Sequence, residues 1–257
     1  MAVLRADPER TAILTDVDGT LAPIVERPEQ AAVPARAREL LAALGERFGF
    51  VGCISGRRAV DARRLVGVEG IAYAGNHGFE LLLPGEDEPQ LDPAVAGRED
   101  AAADFLAGLD SDGLAAIGLR RENKGPIQAL HWRGAGDERA ADARAHEIAT
   151  QAGRAGLEPR WGRKVLELRP VGGGGKDAAV GALLAEEDVG TAVYAGDDRT
   201  DLDACRRLRE LRDEGRLRWA AFVGVLSPEA PPELAEEADL VVDGPDGWLE
   251  LLAELAE

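Results

Sequence analysis

Short uninterrupted apolar runs alternate along this chain with longer stretches in which apolar residues return every three or four positions. Ala12–Thr15 (AILT), Phe50–Ser55 (FVGCIS), Ile71–Ala74 and Ala192–Ala195 lack polar alternation, which predicts strands buried on both faces. Pro34–Phe48 sets Leu40, Leu41, Leu44 and Phe48 on one helical face, and further helices are predicted over Arg58–Val66, Asp177–Glu187 and Leu202–Glu214. The chain closes with a strand at 219–225, a short helix after Pro232, a strand at Leu240–Val242 and a helix from Trp248. Strands that alternate with helices in this way predict an α/β fold, a parallel sheet covered on both faces.

Residues 85–168 break the pattern. Pro84-Gly85 and the segment from Pro89 to Pro93 punctuate the break. Beyond them lie strand-like runs at Ala115–Arg120, Ile127–Arg133 and Val165–Arg169, with a long helix predicted over Asp137–Ala155. This reads as an α+β cap inserted over 85–168, dividing a core domain into residues 1–84 and 169–257. Gly172–Gly175 reads as a short flexible linker back to the core. A cap is expected to act as a lid, because ligand sites of α/β sheets lie at the carboxyl ends of their strands.

Composition narrows the function classes. Lys and Arg total 30 against 48 Asp and Glu, a formal charge of −18, which argues against nucleic-acid or anionic-membrane partners. Ten acidic and no basic residues fall in 219–257, away from every motif below, where they serve solubility. No run approaches about 18 apolar residues and Met1–Arg10 has no apolar targeting core, so a cytoplasmic protein is expected, and a monomer. Cys53 and Cys205 match no metal-binding spacing and read as small buried hydrophobes. Only Lys124, Lys164 and Lys176 are lysine among the 30 basic residues. In so arginine-rich a chain each lysine is a position to inspect, since a compact ammonium does what a planar guanidinium cannot.

Chemistry-bearing residues gather at predicted strand ends. Asp16 and Asp18 in Thr15-Asp-Val-Asp-Gly-Thr-Leu21 project to one side of an extended chain. Such a pair can divide the work between a nucleophile and a general acid/base, although DxDGT alone also fits an Asp/Gly turn. Asp197, Asp198 and Asp201 in Gly196-Asp-Asp-Arg-Thr-Asp201 place three carboxylates in five positions. They repel unless a cation such as Mg²⁺ holds them, or they open a helix as cap and first turn. Ser55-Gly56-Arg57 precedes a helix and could serve an anion, or simply turn the chain. Lys176 opens a helix against the favoured dipole polarity in a chain that otherwise prefers arginine, which favours a phosphate, although an exposed lysine at a helix start also fits.

In sequence order these four motifs resemble those of the haloacid-dehalogenase superfamily of phosphotransferases. Asp16–Ile24 with Pro28 downstream, Tyr73-Ala-Gly-Asn-His-Gly78, Glu122-Asn-Lys-Gly125 and His131-Trp-Arg133 narrow the resemblance, over nearly the whole chain, to the trehalose-6-phosphate phosphatases. The resemblance implies a Rossmann-like core with a cap that closes over the sugar. It implies that Asp16 attacks phosphorus to give an aspartyl-phosphate, and that Asp18 protonates the leaving sugar oxygen and then activates water. Mg²⁺ would be held by Asp16, the Asp18 carbonyl and Asp197, supported by Asp198 and Asp201, while Ser55 and Lys176 neutralise phosphoryl oxygens.

For the sugar the resemblance nominates Glu122, Lys124, His131 and Glu167 on the cap and Arg57 and His77 on the core. His131, His77 and Glu167 also fit ordinary strand and turn positions, and His146 reads as structural. Two departures stand out. The family places small hydroxyl residues where this chain has Pro126-Ile-Gln-Ala-Leu130, and a glycine where Asp177 follows Lys176. The leading expectation is a trehalose-6-phosphate phosphatase. The alternatives are a phosphatase of glucosyl- or mannosyl-glycerate phosphate or sucrose phosphate, and a non-catalytic sugar-phosphate sensor, against which the intact Asp16 and Asp18 argue.

Overall fold

The computed structural model describes residues 2–25, 30–162, 164–228 and 230–257, so Pro28 lies outside the described residues. Two compact units form, residues 1–90 with 174–257, and residues 91–173. Both boundaries fall a few residues beyond the expected ones. After Leu83 the chain turns through Pro84-Gly85 and continues as strand before leaving the first unit, and the last strand of the insert pairs through Pro170.

The first unit opens with a short helix α1 (Ala2–Ala6), then β1 (Thr11–Asp16), α2 (Ala35–Arg47), β2 (Phe50–Ile54), α3 (Ala59–Val66), β3 (Ala72–Gly75) and β4 (Glu80–Leu82). A two-residue β5 (Gln90–Leu91) marks the boundary. The insert holds α4 (Ala101–Ala107), α5 (Ser111–Ala116), β6 (Arg120–Lys124), β7 (Ile127–His131), α6 (Glu138–Arg154), β8 (Leu157–Gly162) and β9 (Val165–Pro170). The first unit resumes with α7 (Lys176–Leu183), β10 (Thr191–Gly196), α8 (Asp201–Asp213), β11 (Trp219–Leu226), α9 (Pro232–Glu237), β12 (Leu240–Asp243) and α10 (Gly244–Ala256).

The main sheet has the order β12-β11-β10-β1-β2-β3-β4-β5 and is parallel from β12 to β3, with β4 antiparallel. Successive residues of β1 serve opposite faces, as a pleat dictates. Ile13 joins Val51, Cys53, Tyr73 and Val193 beneath α2, α3 and α10, whereas Ala12 and Leu14 join Phe50, Ile54 and Tyr194 against α7, α8 and α9. Both faces are therefore covered, which is why these strands carry no polar alternation. Behind the start of the site, the Trp248 indole N–H of α10 donates to Thr15 Oγ1 at 3.1 Å. Cys53 and Cys205 are buried and unpaired, and burial pushes both thiols up, Cys205 to about 11.

Three expected elements change. Ala115–Arg120 is not a strand. Asp110 accepts from the Gly113 N–H and caps α5, so the segment is helical to Ala116 and strand begins only at Arg120. Helix α7 stops at Leu183 rather than Glu187, because Glu186, Glu187 and Asp188 would oppose the negative end of its dipole. Helix α10 begins at Gly244, ahead of Trp248, with Pro245 and Asp246 in the first turn where both are favoured.

The insert is an antiparallel sheet, β6-β7-β9-β8, packed on α4 and α6. Leu130, Leu166 and Leu168 face those helices with Ala141, Ala145 and Ile148. The alternate positions make the other face polar. His146 stacks on Trp161 with ring centroids 4.2 Å apart. Among the described residues no helix is long and apolar enough to cross a membrane.

Candidate active site

The carboxyl ends of β1, β2 and β10 bring the core motifs together. Chain direction explains this, since parallel neighbours end on the same edge of the sheet. Asp16 ends β1, Ser55 follows β2, and Asp197 follows β10. The loop after β1 closes through the Gly19 N–H donating to Ala22 O at 2.7 Å. Gly19 has φ +99°, and a Cβ there would meet Asp197 Oδ2 at 2.1 Å, so only glycine lets the two acidic loops approach. Thr20 Oγ1 ties them, donating to Asp197 Oδ1 at 3.1 Å.

Lys176 is the hinge of the cluster. Its Nζ lies 2.6 Å from Asp16 Oδ1 and 2.6 Å from Asp201 Oδ1, with Asp198 Oδ1 at 3.8 Å. Burial alone would lower the pKa of this ammonium, but Asp16, Asp201 and Asp198 outweigh it and hold the group charged, well above its usual range. Asp201 is wholly buried. Its Oδ2 accepts from the backbone N–H groups of Asp197 and Asp198 at 3.0 and 2.9 Å, and a Cβ at Gly196 would collide with it. Asp198 accepts from Thr200 N–H and Oγ1, both at 2.7 Å, which shapes the turn into α8. Against the effect of burial, Lys176 and Thr200 hold Asp198 down at about 2.

The carboxylates closest to one another shift the opposite way from Asp198. Burial first, then Asp201 and Asp197, raise the Asp16 carboxyl well above the usual carboxylate range despite Lys176. Burial and the Asp201 charge push Asp197 up to about 7. The site therefore resists carrying its full negative charge by itself. Asp16, Asp197 and Asp201 each offer an oxygen within 4.8 Å of the others, and Asp16 Oδ2 is buried with no hydrogen-bond partner among the described residues. An orphaned carboxylate oxygen among like charges suits a hard divalent cation, so Asp16 and Asp197 can hold one, while both Asp201 oxygens are already taken by Lys176 and two backbone N–H groups.

Asp18 lies two residues on and faces Arg57. Arg57 Nε and Nη2 donate to Asp18 Oδ2 and Oδ1, each at 2.8 Å. The Ser55-Gly-Arg57 loop is braced by the Asn76-His77 pair, whose φ values of 51° and 55° lie in the left-handed region. The Asn76 N–H donates to Arg57 O at 2.6 Å and the His77 N–H to Ser55 O at 2.9 Å, while His77 O accepts from the Gly175 N–H at 2.5 Å. His77 thus links the Ser55 loop to the residue before Lys176. Ser55 Oγ accepts from the Arg57 N–H at 3.1 Å.

The nominated residues of the insert also meet, on its polar face. Glu122, Ala129 and Glu167 are in register across β6, β7 and β9. Two positions along these strands lie Lys124, His131 and Arg169 on the same face. Lys124 Nζ donates to Glu167 Oε1 at 3.0 Å, Arg169 Nη2 bonds Glu167 Oε2, and His131 Nε2 lies 2.7 Å from Glu122 Oε2. Burial would raise the Glu167 carboxyl, but Lys124 and Arg169 win and hold it at about 2. Lys164, the third lysine, instead pairs with Glu138 at 2.5 Å.

Sequence reasoning missed the Arg57–Asp18 pair, Thr20, Arg169 and Tyr194, whose hydroxyl donates to Asp201 Oδ1. For Arg169 a signal existed, because Glu167 and Arg169 alternate on one strand face. For the others only tertiary contact reveals the partner.

Comparison with known proteins places this geometry. A family model described as Trehalose-phosphatase matches residues 14–223. An uncharacterized glycosyl hydrolase of Mycobacterium tuberculosis is 38% identical over 210 residues, 78% of this chain and 15% of its own length. A trehalose-phosphate phosphatase of Mycobacterium avium is 35% identical over 243 residues, 88% of this chain and 61% of its own. This chain therefore spans less than two thirds of these curated relatives. The C-terminal domain of a Candida albicans trehalose-6-phosphate phosphatase superposes with a TM-score of 0.76 at 21% identity, covering 99% of this chain and 96% of that one. The fold is α/β of the haloacid-dehalogenase type.

Proposed function

The chain belongs to the trehalose-phosphatase family, and from that premise we propose that it is a Mg²⁺-dependent phosphatase releasing phosphate from trehalose 6-phosphate. One observation carries the reading: Asp16, buried at a strand end, shares the ammonium of Lys176 and keeps one oxygen unpartnered beside Asp197. Asp16 attacks phosphorus, the bond from phosphorus to the sugar oxygen breaks, and Asp18 gives that oxygen its proton. Asp18 then takes a proton from water, which attacks the aspartyl-phosphate, frees phosphate and restores Asp16. Asp16, the Asp18 carbonyl and Asp197 would hold Mg²⁺, which would supply positive charge against the phosphoryl oxygens. Ser55 and Lys176 serve those oxygens as well, and Asp198 and Asp201 keep Lys176 and the loop amides in place. Arg57 orients Asp18, and His77 braces the loop that carries both Ser55 and Arg57.

Sugar recognition falls, in this reading, to Glu122, Lys124, His131 and Glu167 of the insert, with the substrate-binding part of Arg57 and His77 exercised through that loop. Charged and paired side chains on one sheet face suit a ligand with many hydroxyls. Ala129, in register between Glu122 and Glu167, offers no hydroxyl. That observation favours a second reading, a phosphatase of another sugar phosphate. A panel of sugar phosphates assayed for phosphate release with Mg²⁺, then with chelator, tests both. Preference for trehalose 6-phosphate, lost with chelator, is expected. Preference for glucosylglycerate or sucrose phosphate would replace the substrate, and turnover indifferent to chelator would overturn the metal.

A further inference from the structure

Tyr194 stands on β10 three residues before Asp197, wholly buried among the side chains beneath α7 and α8. Its ring stacks on Phe222 with centroids 6.1 Å apart and planes 15° from parallel. A tyrosine in an apolar layer must find an acceptor for its hydroxyl. Here that acceptor is Asp201 Oδ1, the same oxygen that receives Lys176 Nζ.

The shared oxygen gives the contact a consequence. Asp201 Oδ2 is fixed by two backbone N–H groups, so the carboxylate cannot rotate away. Its Oδ1 therefore stays aimed at Lys176, and what it demands of the ammonium depends on its other donor. A hydroxyl donating into Oδ1 spreads that oxygen's charge and lowers its pull on Lys176. The ammonium stays divided between Asp201 and Asp16, with both contacts at 2.6 Å.

We propose that Tyr194 is a positioning residue of the phosphoryl-transfer centre, holding Asp201 so that Lys176 stays divided between Asp201 and Asp16. The inference rests on the phosphatase reading but not on the identity of the sugar. Without the hydroxyl, Lys176 shifts toward Asp201, and Asp16 loses the donor that sets the direction of its Oδ1. The defect lies at the nucleophile and is blind to the leaving group.

Tyr194→Phe keeps the ring and its stacking while removing the donor. Its kcat is expected to fall about tenfold, equally on trehalose 6-phosphate and on a small aryl phosphate, with KM within about twofold of wild type and the far-UV spectrum unchanged. An unchanged kcat with only a lowered melting temperature would make Tyr194 structural and overturn the proposal, as would a loss confined to the sugar phosphate. Wild-type protein that turns over the aryl phosphate but no sugar phosphate would sink the substrate reading and leave this test intact. A second probe covers a phenylalanine variant that fails to fold. The chain has two tyrosines, so 3-fluorotyrosine in Tyr73→Phe protein reports from Tyr194 alone. Its ¹⁹F resonance is expected to move when Asp16→Asn is added to that background. A resonance that does not respond would break the link from Asp16 through Lys176 and Asp201.

Discussion

Arg57 holds both carboxylate oxygens of Asp18 at 2.8 Å, through Nε and Nη2. The fork fits only a guanidinium, which explains an arginine beside a loop whose other residues are small. Arg57→Lys keeps the charge but can satisfy one oxygen at a time. Losing one hydrogen bond to a charged group, about 1.5–3 kcal/mol, is expected to lower kcat by roughly 10- to 100-fold with little change in melting temperature. Steady-state kinetics on an aryl phosphate measures it, and near-normal kcat would show that Asp18 is oriented by other means.

Gly19 makes a stability prediction. At φ +99° with Asp197 Oδ2 2.1 Å from any Cβ, alanine is both strained and obstructed. Gly19→Ala is expected to cost at least about 1–3 kcal/mol, read as a lowered denaturation midpoint, and to abolish turnover by driving the two acidic loops apart. A fully active, equally stable variant would contradict the close approach.

The insert makes a prediction about pH. Glu167, held at about 2 against a usual 4.5, has its pKa lowered by folding. Its ion pairs therefore stabilise the protein fully above about pH 4.5, and that contribution is lost as pH falls toward 2. The depression corresponds to about 3 kcal/mol, of which about 2 is gone by pH 3. Denaturant midpoints between pH 6 and pH 3 should fall for wild type and much less for Glu167→Gln, which is weaker at neutral pH because Lys124 and Arg169 lose their anion. Parallel pH profiles would show that the pairs contribute nothing.

The same cluster predicts how selectivity fails. Lys124→Ala is expected to raise KM for the preferred sugar phosphate at least tenfold while leaving an aryl phosphate within about twofold, because the loss is of binding shared by ground and transition states. Equal losses on both substrates would remove the insert from sugar recognition.

Much of this site was legible in the sequence because strand ends in a parallel sheet are forced together. Once AILT, FVGCIS and AVYA read as buried neighbours, Asp16, Ser55 and Asp197 had to share one edge. Lys176 stood out because lysine is rare in this chain. The pairings were not legible. Nothing in the spacing joins Arg57 to Asp18 or Tyr194 to Asp201, and both depend on loop conformations that register alone does not determine. The Asn76-His77 segment reads as a family signature, yet its backbone bonds to Arg57, Ser55 and Gly175 make it a brace. In the insert, α5 was hidden because an apolar run of that length fits a strand as well as a helix, and only the cap at Asp110 decides.

The most direct test of the account is acid-quenched mass spectrometry of the protein during turnover of trehalose 6-phosphate with Mg²⁺. A phosphoryl adduct on the peptide carrying Asp16, absent from Asp16→Asn protein that releases no phosphate, is the predicted result. Steady phosphate release by the Asp16→Asn protein would contradict it.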